Sequence, residues 1–546
     1  MTVVSVRKSE IKKIIGNKSD SEIDHVLSMM STAVERMDKN NVEVEVAPNR
    51  PDMLSESGIL RALKSFSGKS KGLHKININA PKKDYDVFVE PSVKDIRPYT
   101  VCAIVRDLKF DDNKIKEIID IQEKLHNTLG RKRKKLAIGV YPLDKIKLPI
   151  RFSALDPDKI KFQPLEFQRE LTGRQILSQH HAGREYGNLL EGKNKYPVFI
   201  DANNEVLSMP PIINSHRTGK IENKTKDIFI ECSGFDLEVQ KKTINIITSA
   251  LADMGGKVYQ VNVHYGSKIL KTPDFSPEKM KLSVENANKL LGLELNSKEI
   301  SNLLGKMGLG FNGKEVLIPA YRTDIMHEVD LIEDIAIAYG YDNLVPVIPE
   351  ISTIGEISKE EIIKSKIREL LIGLNLIETS SFHLTTKDYQ INKFGLKDTN
   401  ERYVEVENSK TEYNLLRKDL SHYLLRILSE NVDVEYPQEI FQIGTIFSGN
   451  SGVEEKTNLS IALAPGNFTR LKQILEYLGK MLDVKIEILK TNNFEPYFID
   501  GRVAEIKINN KMAGYFGEVH PRILKNFKVK MPVSLVEINL EELFNI

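Results

Sequence analysis

Apolar residues recur at spacings of three and four through Tyr321–Leu344, YRTDIMHEVDLIEDIAIAYGYDNL, where Val329, Ile332, Ala336 and Tyr339 form one stripe. That period predicts a helix from about Met326 to Tyr339 with the stripe turned to a core. On the same helix Asp330, Glu333 and Asp334 fall within roughly a 100° arc, and Asp324 precedes them by six residues. Hard oxygen ligands gathered on one face suit Mg²⁺, which prefers octahedral oxygen coordination. The same acids also suit a helix start, where the macrodipole favours negative charge and Asp324 can serve as a cap. Spacing alone leaves both readings open.

The pattern changes several times along the chain. Val42–Val46 alternates like a half-buried strand and leads into NRPDMLSESGILRAL, with a turn at Pro51–Asp52, a cap at Ser55 and a helix through Gly58–Leu63. From about 85 to 265, β-branched runs such as PYTVCAIVRDLKF, AIGVYPLD and DIFIECSGFD alternate with helical stretches, one of which ends in HNTLGRKRKK. A Ser/Pro/Lys-rich connection over 266–279 then precedes two short helices, one capped by Ser283 and ended by Gly292, the other capped by Ser297 and stopped at Gly308. Pro346 and Pro349 mark a further linker, after which the chain reads as α+β with antiparallel pairing and a hairpin at Asn509–Asn510. These shifts predict four domains, at 1–84, 85–265, 270–345 and 350–546.

At 546 residues several cores are expected rather than one. With 41% hydrophobic and 28% charged residues the chain reads as soluble and globular. A net charge of +2 advertises no global affinity for nucleic acid, so any such contact must be local. Two cysteines make neither a disulfide framework nor a zinc site. The start lacks a signal-peptide core and no apolar run reaches membrane-spanning length, so a cytosolic location is expected.

Several strings need weighing. Gly308-x-Gly310-x-x-Gly313 has the dinucleotide pattern, but it follows a helix and precedes a strand, so it reads as a turn. Arg131–Lys135, RKRKK, with Lys124 nearby, is either a solvated helix end or a phosphate contact. His180 and His181 have no companion ligand, His520 suits a turn, and Cys232 suits a buried small hydrophobe. Chemistry is most plausible over 208–234. Pro210 and Pro211 stiffen a loop that fixes Ser208, Asn214 and Ser215, while Glu231 and Ser233 alternate with Phe229 and so share one strand face. The bland reading is a rigid loop whose polar groups satisfy its own backbone.

Taken together, NRPDMLSESGILR, LHNTLGRKR, IGVYPLDKI, LSMPPIINS, the R-x-D with D-L-I-E-D string and GEVHP resemble the phenylalanyl-tRNA synthetase β-subunit family, of the archaeal/eukaryotic type. The resemblance implies a multidomain α+β fold with an α/β editing domain, a winged-helix-like metal domain and a catalytically silent, class II synthetase-like antiparallel sheet domain. It implies an α-subunit partner in an (αβ)₂ heterotetramer, binding of tRNA(Phe), and Mg²⁺ held by Asp324, Asp330, Glu333 and Asp334. Residues 350–546 show no arginine-bearing nucleotide motif, so ATP and phenylalanine would be handled by the partner. Alternatives are a purely structural subunit with a dead pocket, or a free-standing nucleic-acid-binding protein.

The implied editing pocket comprises Ser208, Pro211, Asn214, Glu231 and Ser233. It has a physical rationale, because an apolar site shaped for phenylalanine rejects an added hydroxyl only by about 10². A second site offering that hydroxyl a partner can select tyrosine for hydrolysis. The family commonly has Asp and Thr where this chain has Glu231 and Ser233, which alters the depth of the pocket.

Overall fold

A computed structural model describes residues 2–396, 403–449 and 452–544. The chain is a mixed α+β, multidomain protein that divides into two compact units, Met1–Ile348 and Pro349–Ile546. No described helix is long and apolar enough to cross a membrane.

The first unit contains three separate sheets of three or more strands. Near the N-terminus, Thr2–Arg7 pairs antiparallel with Asn41–Val46, whose Val42, Val44 and Val46 are buried as their alternation requires. Ser55 caps the following helix, Glu56–Phe66, by accepting from the Gly58 N–H at 3.0 Å. Next comes a large mixed sheet of eleven strands. At one end of its strand order Ile228–Gly234 lies between Tyr99–Arg106 and the edge strand Leu136–Pro142, antiparallel to both. Its even-numbered residues enter a core with Ile244, Ile247 and Leu251 of the helix Leu237–Asp253, while Phe229 turns the other way toward Tyr141, Phe152 and Phe199. Glu231 and Ser233 therefore share the Phe229 face, as the alternation predicts.

The third sheet joins Glu278–Lys281, Gly310–Phe311 and Glu315–Ile318, with three helices packed around it. Ser283 caps the first helix and Gly292 ends it in the left-handed region. The second helix, Ser297–Lys306, is capped one residue earlier than the sequence suggests, by Asn296, whose longer side chain reaches two backbone N–H groups in a capping box with Glu299. Gly308 takes positive φ between that helix and the strand Gly310–Phe311, and Gly313 does so in the turn between that strand and Glu315–Ile318. The acidic helix runs from Glu328 to Tyr339 and is buried nearly all round, so the expected single stripe is too narrow. Val329 is 49% exposed because it sits in the first turn, while Asp334 is only 4% exposed.

The second unit is built on a seven-stranded, largely antiparallel sheet. Phe498–Ile508 and Lys511–Val519 form the predicted hairpin, with both Asn509 and Asn510 at positive φ as a two-residue turn requires. Helices Lys359–Gly373 and Phe468–Met481 contribute Ile367, Leu371, Leu471 and Leu475 to the core against it.

Candidate active site

A cavity of about 450 Å³ opens beside the edge strand Leu136–Pro142, between the helix Asp112–Asn127 and the Ser208–Lys220 segment. That volume lies within the range typical of small-molecule pockets, roughly 300–1,000 Å³. Ile115, Ile138, Val140, Leu165, Ile212 and Ile221 give it apolar walls. Ser208, Asn214 and Glu231 are its polar end. Ser208 and Asn214 face each other across two short antiparallel strands, which brings residues on either side of the double proline to one place.

Glu231 reaches the cavity because its partner across the sheet is Gly139. A Cβ on residue 139 would stand 2.6 Å from Glu231 Oε1 and 2.1 Å from the Tyr141 hydroxyl, so only glycine leaves the space. The Tyr141 hydroxyl lies 2.8 Å from Ser208 Oγ, 3.3 Å from Glu231 Oε1 and 3.4 Å from Asn214 Oδ1. Glu231 Oε2 is buried and accepts from no protein group. Burial pushes this carboxyl up to about 8, against the opposing pull of Arg97 and of the Tyr141 and Ser233 hydroxyls. Ser233 does not border the cavity. Its Oγ and carbonyl accept from the buried Arg97 guanidinium at 3.1 and 2.7 Å, which sets a cation behind the acid.

The loop is latched from the opposite wall. Arg133 donates to the Ile212 carbonyl at 2.9 Å and the Pro211 carbonyl at 3.4 Å, pairs with Glu123 at 2.8 Å, and stacks 4.5 Å over the Tyr186 ring. Arg131, Lys132 and Arg133 all adopt left-handed φ, a strained run for non-glycine residues that turns Arg133 inward. Arg131, Lys132, Lys134 and Lys135 remain exposed beside it. The basic run thus divides into one structural arginine and four solvent-facing cations. His126, in the same string, accepts from the Ile138 N–H at 2.8 Å, and burial pulls its pKa down, so it acts as a neutral anchor. His180 is likewise engaged, with the Leu165 carbonyl and the Ala182 N–H, while His216 borders the cavity with a buried Nδ1 that has no partner.

The four carboxylates of the acidic segment do not gather around one point. Arg322 donates to both oxygens of Asp324, at 2.8 and 2.7 Å, and to Asp334 at 2.8 Å. Asp330 accepts from the Met326 and His327 N–H groups at 2.8 and 2.7 Å, closing the helix start. Glu333 is exposed. A guanidinium already supplies the positive charge that the buried pair requires, and among the described residues no three His, Cys, Asp or Glu side chains are placed to hold a metal ion. These residues as arranged do not fit an octahedral magnesium site. The NRPD string joins the same lattice. Arg50 binds Asp52 through two 2.9 Å bonds, and Arg61 spans the Asp52 carbonyl, Asp253 and the Tyr321 ring.

In the second unit Asp419, His422 and Thr385 form a chain of 3.0 Å contacts that imitates a nucleophile–base–acid relay. Thr385 and His422 are completely buried, so no substrate reaches them. The relay holds the core together.

Residues 98–260 match the B3/4 domain model, 280–341 the tRNA synthetase B5 domain and 344–540 the phenylalanyl tRNA synthetase beta chain CLM domain. The phenylalanine–tRNA ligase beta subunit of Archaeoglobus fulgidus is 38% identical over 555 residues, covering 100% of this chain and 99% of its own. That of Pyrococcus furiosus is 36% identical over 568 residues, covering 100% of both. This chain belongs to the phenylalanine–tRNA ligase beta-subunit family. Within the family, the crystal structure of an N-terminal fragment of the Pyrococcus horikoshii phenylalanyl-tRNA synthetase beta-subunit is 38% identical and superposes with a TM-score of 0.59, spanning 62% of this chain and 99% of the fragment.

For a beta subunit of this family, the structure brings Ser208, Asn214 and Glu231 together, makes Pro211 the latch point and sets Ser233 behind them. Sequence reasoning missed Tyr141, Gly139, Arg97 and His216, and read Arg133 only as part of the basic run. Gly139 and Tyr141 both lie in the IGVYP string, and their spacing of two along a strand was the available signal.

Proposed function

We propose that this chain is the scaffolding and proofreading subunit of an (αβ)₂ phenylalanine–tRNA ligase, and that its cavity hydrolyses Tyr-tRNA(Phe). Residues 85–265 are the editing domain, 270–345 a winged-helix-like domain, and 350–546 a class II synthetase-like domain that has lost activation, behind the N-terminal α/β domain of 1–84. Activation of phenylalanine by ATP belongs to the α partner, with Mg²⁺ accompanying the nucleotide phosphates there. Asp324, Asp330, Glu333 and Asp334 are not part of this proposal.

One observation carries the editing role: a carboxyl at one end of a cavity with extensive apolar walls, with a buried oxygen that no protein group satisfies. An unpaired buried acceptor is costly, by about 1–3 kcal/mol, and a ligand hydroxyl removes that cost. Phenylalanine cannot. The apolar walls take the ring, the mouth keeps the ester in contact with water, and water is the nucleophile, oriented by the terminal ribose hydroxyl of the tRNA. The exposed cations Arg131, Lys132, Lys134 and Lys135 suit the RNA backbone.

The test uses the purified αβ complex and Tyr-tRNA(Phe). Measured above pH 8, where the carboxyl is ionised, Glu231→Ala is expected to slow deacylation by about 10- to 100-fold, the loss of a hydrogen bond to a charged group of about 1.5–3 kcal/mol. Unchanged hydrolysis removes Glu231 from the reaction.

A further inference from the structure

Tyr141 meets the cavity's polar groups from below. Its side chain is fully buried, its ring lies 6.1 Å from that of Phe229 in the core beneath the sheet, and it does not itself border the cavity. Only its hydroxyl emerges among the site residues, between Ser208 Oγ and Glu231 Oε1. A phenol carries one proton and two acceptor sites, so this contact ties one loop residue and one strand residue to a rigid aromatic post. Gly139 is the notch through which the arrangement is possible, since a methyl there would overlap both the hydroxyl and Oε1.

We propose that Tyr141 is the positioning residue for selectivity at this site: by engaging Oε1, its hydroxyl holds the Glu231 carboxyl so that Oε2 is reserved for the hydroxyl of the incoming acyl group. This inference rests on the editing reading above. Without Tyr141 the carboxyl can rotate, satisfy itself on Ser208 or Asn214, and lose its preference for a ligand that brings its own donor. The charged and titratable groups facing Glu231 are Arg97 behind it, Cys102 opposite it on Tyr99–Arg106, Tyr141 on the edge strand and His216 on the same cavity, while Cys232, next in the chain, turns to the other face of the sheet. Of these Arg97 and Tyr141 favour the ionised carboxylate. Removing the phenol therefore raises the pH at which the carboxylate forms, and a carboxylate is the stronger acceptor.

The experiment compares hydrolysis of Tyr-tRNA(Phe) and Phe-tRNA(Phe) by the αβ complex between pH 6.5 and 9.5. Tyr141→Phe keeps the ring and its packing. It is expected to lower the ratio of tyrosyl to phenylalanyl hydrolysis about 10-fold and to move the pH midpoint of that ratio upward. Gly139→Ala is expected to give the same loss of ratio by displacement. A Tyr141→Phe enzyme with the wild-type ratio and pH profile overturns the proposal, including when it is merely less stable. If Glu231→Gln loses the ratio while Tyr141→Phe keeps it, the editing reading survives and this inference alone falls. A wild-type complex with no tyrosyl preference removes both.

Discussion

Two acidic regions of the first compact unit show how differently the same side chain can end. Around Arg322, the Asp324 and Asp334 carboxylates both accept from one buried guanidinium, whose remaining nitrogen, Nη1, has no partner among the described residues. At Glu231 one carboxyl is just as buried, yet its counter-cation Arg97 is spent on Ser233 and one oxygen is left over. The first arrangement neutralises its acids with a cation of the same chain and holds the fold together. The second has bonding capacity in reserve beside an open cavity. Each region leaves one buried polar atom unpartnered, but at Glu231 that atom is a spare acceptor on a residue lining a cavity, and it is this combination that points to a ligand.

The sharpest way to break this comparison is at Arg322. Arg322→Met leaves Asp324 and Asp334 buried without their cation, and is expected to destabilise the chain by about 3–5 kcal/mol in urea unfolding. Millimolar Mg²⁺ should not stabilise the wild type. A melting temperature that climbs with Mg²⁺, and ceases to do so in Asp330→Ala/Glu333→Ala, would restore the metal reading.

Glu231 should behave in the opposite sense. Its carboxyl titrates at about 8 in the folded chain against an ordinary value of 4.5. Between those values the folded state keeps a proton that the unfolded state has released, so wild-type stability falls as pH rises through this window and levels off above it. Glu231→Gln removes the decline, and unfolding at pH 5 and 8.5 should show it gaining on the wild type by a few kcal/mol. Parallel pH dependences for the two chains would mean that the carboxyl is not held neutral.

Smaller effects separate the remaining acids and bases. Asp330→Ala is expected to cost about 0.5–2 kcal/mol, the value of a helix cap, without any change in tyrosyl hydrolysis. Arg131→Ala with Lys132→Ala should leave folding intact and weaken tRNA binding in a salt-dependent way, reducing the slope of log affinity against log salt by about 0.7–0.9 for each phosphate no longer neutralised. An unchanged slope would return those residues to the solvated helix end that the sequence equally allows.

Local chemistry made part of this legible in advance. Ser55, Ser283 and Gly292 mark helix ends because capping is settled within four residues of chain, and Asn509–Asn510 marks a hairpin for the same reason. The shared face of Glu231 and Ser233 follows from strand alternation alone. The Asn296 cap was missed by one residue because Asn and Ser compete at that position and only the side-chain reach decides between them.

What the sequence determined by itself was the family, the alternation of strand and helix, and the residue types gathered near the double proline. Tertiary structure decided the use of each. The Tyr141 hydroxyl meets a carboxyl 90 residues away and a serine 67 away, and Gly139 matters only because a neighbouring strand places Glu231 across from it. Arg322 was visible two residues before Asp324, but burial had to exclude water before a guanidinium, and no magnesium ion, became the fitting partner. Long-range register and desolvation set these outcomes, and neither is written in any local stretch of chain.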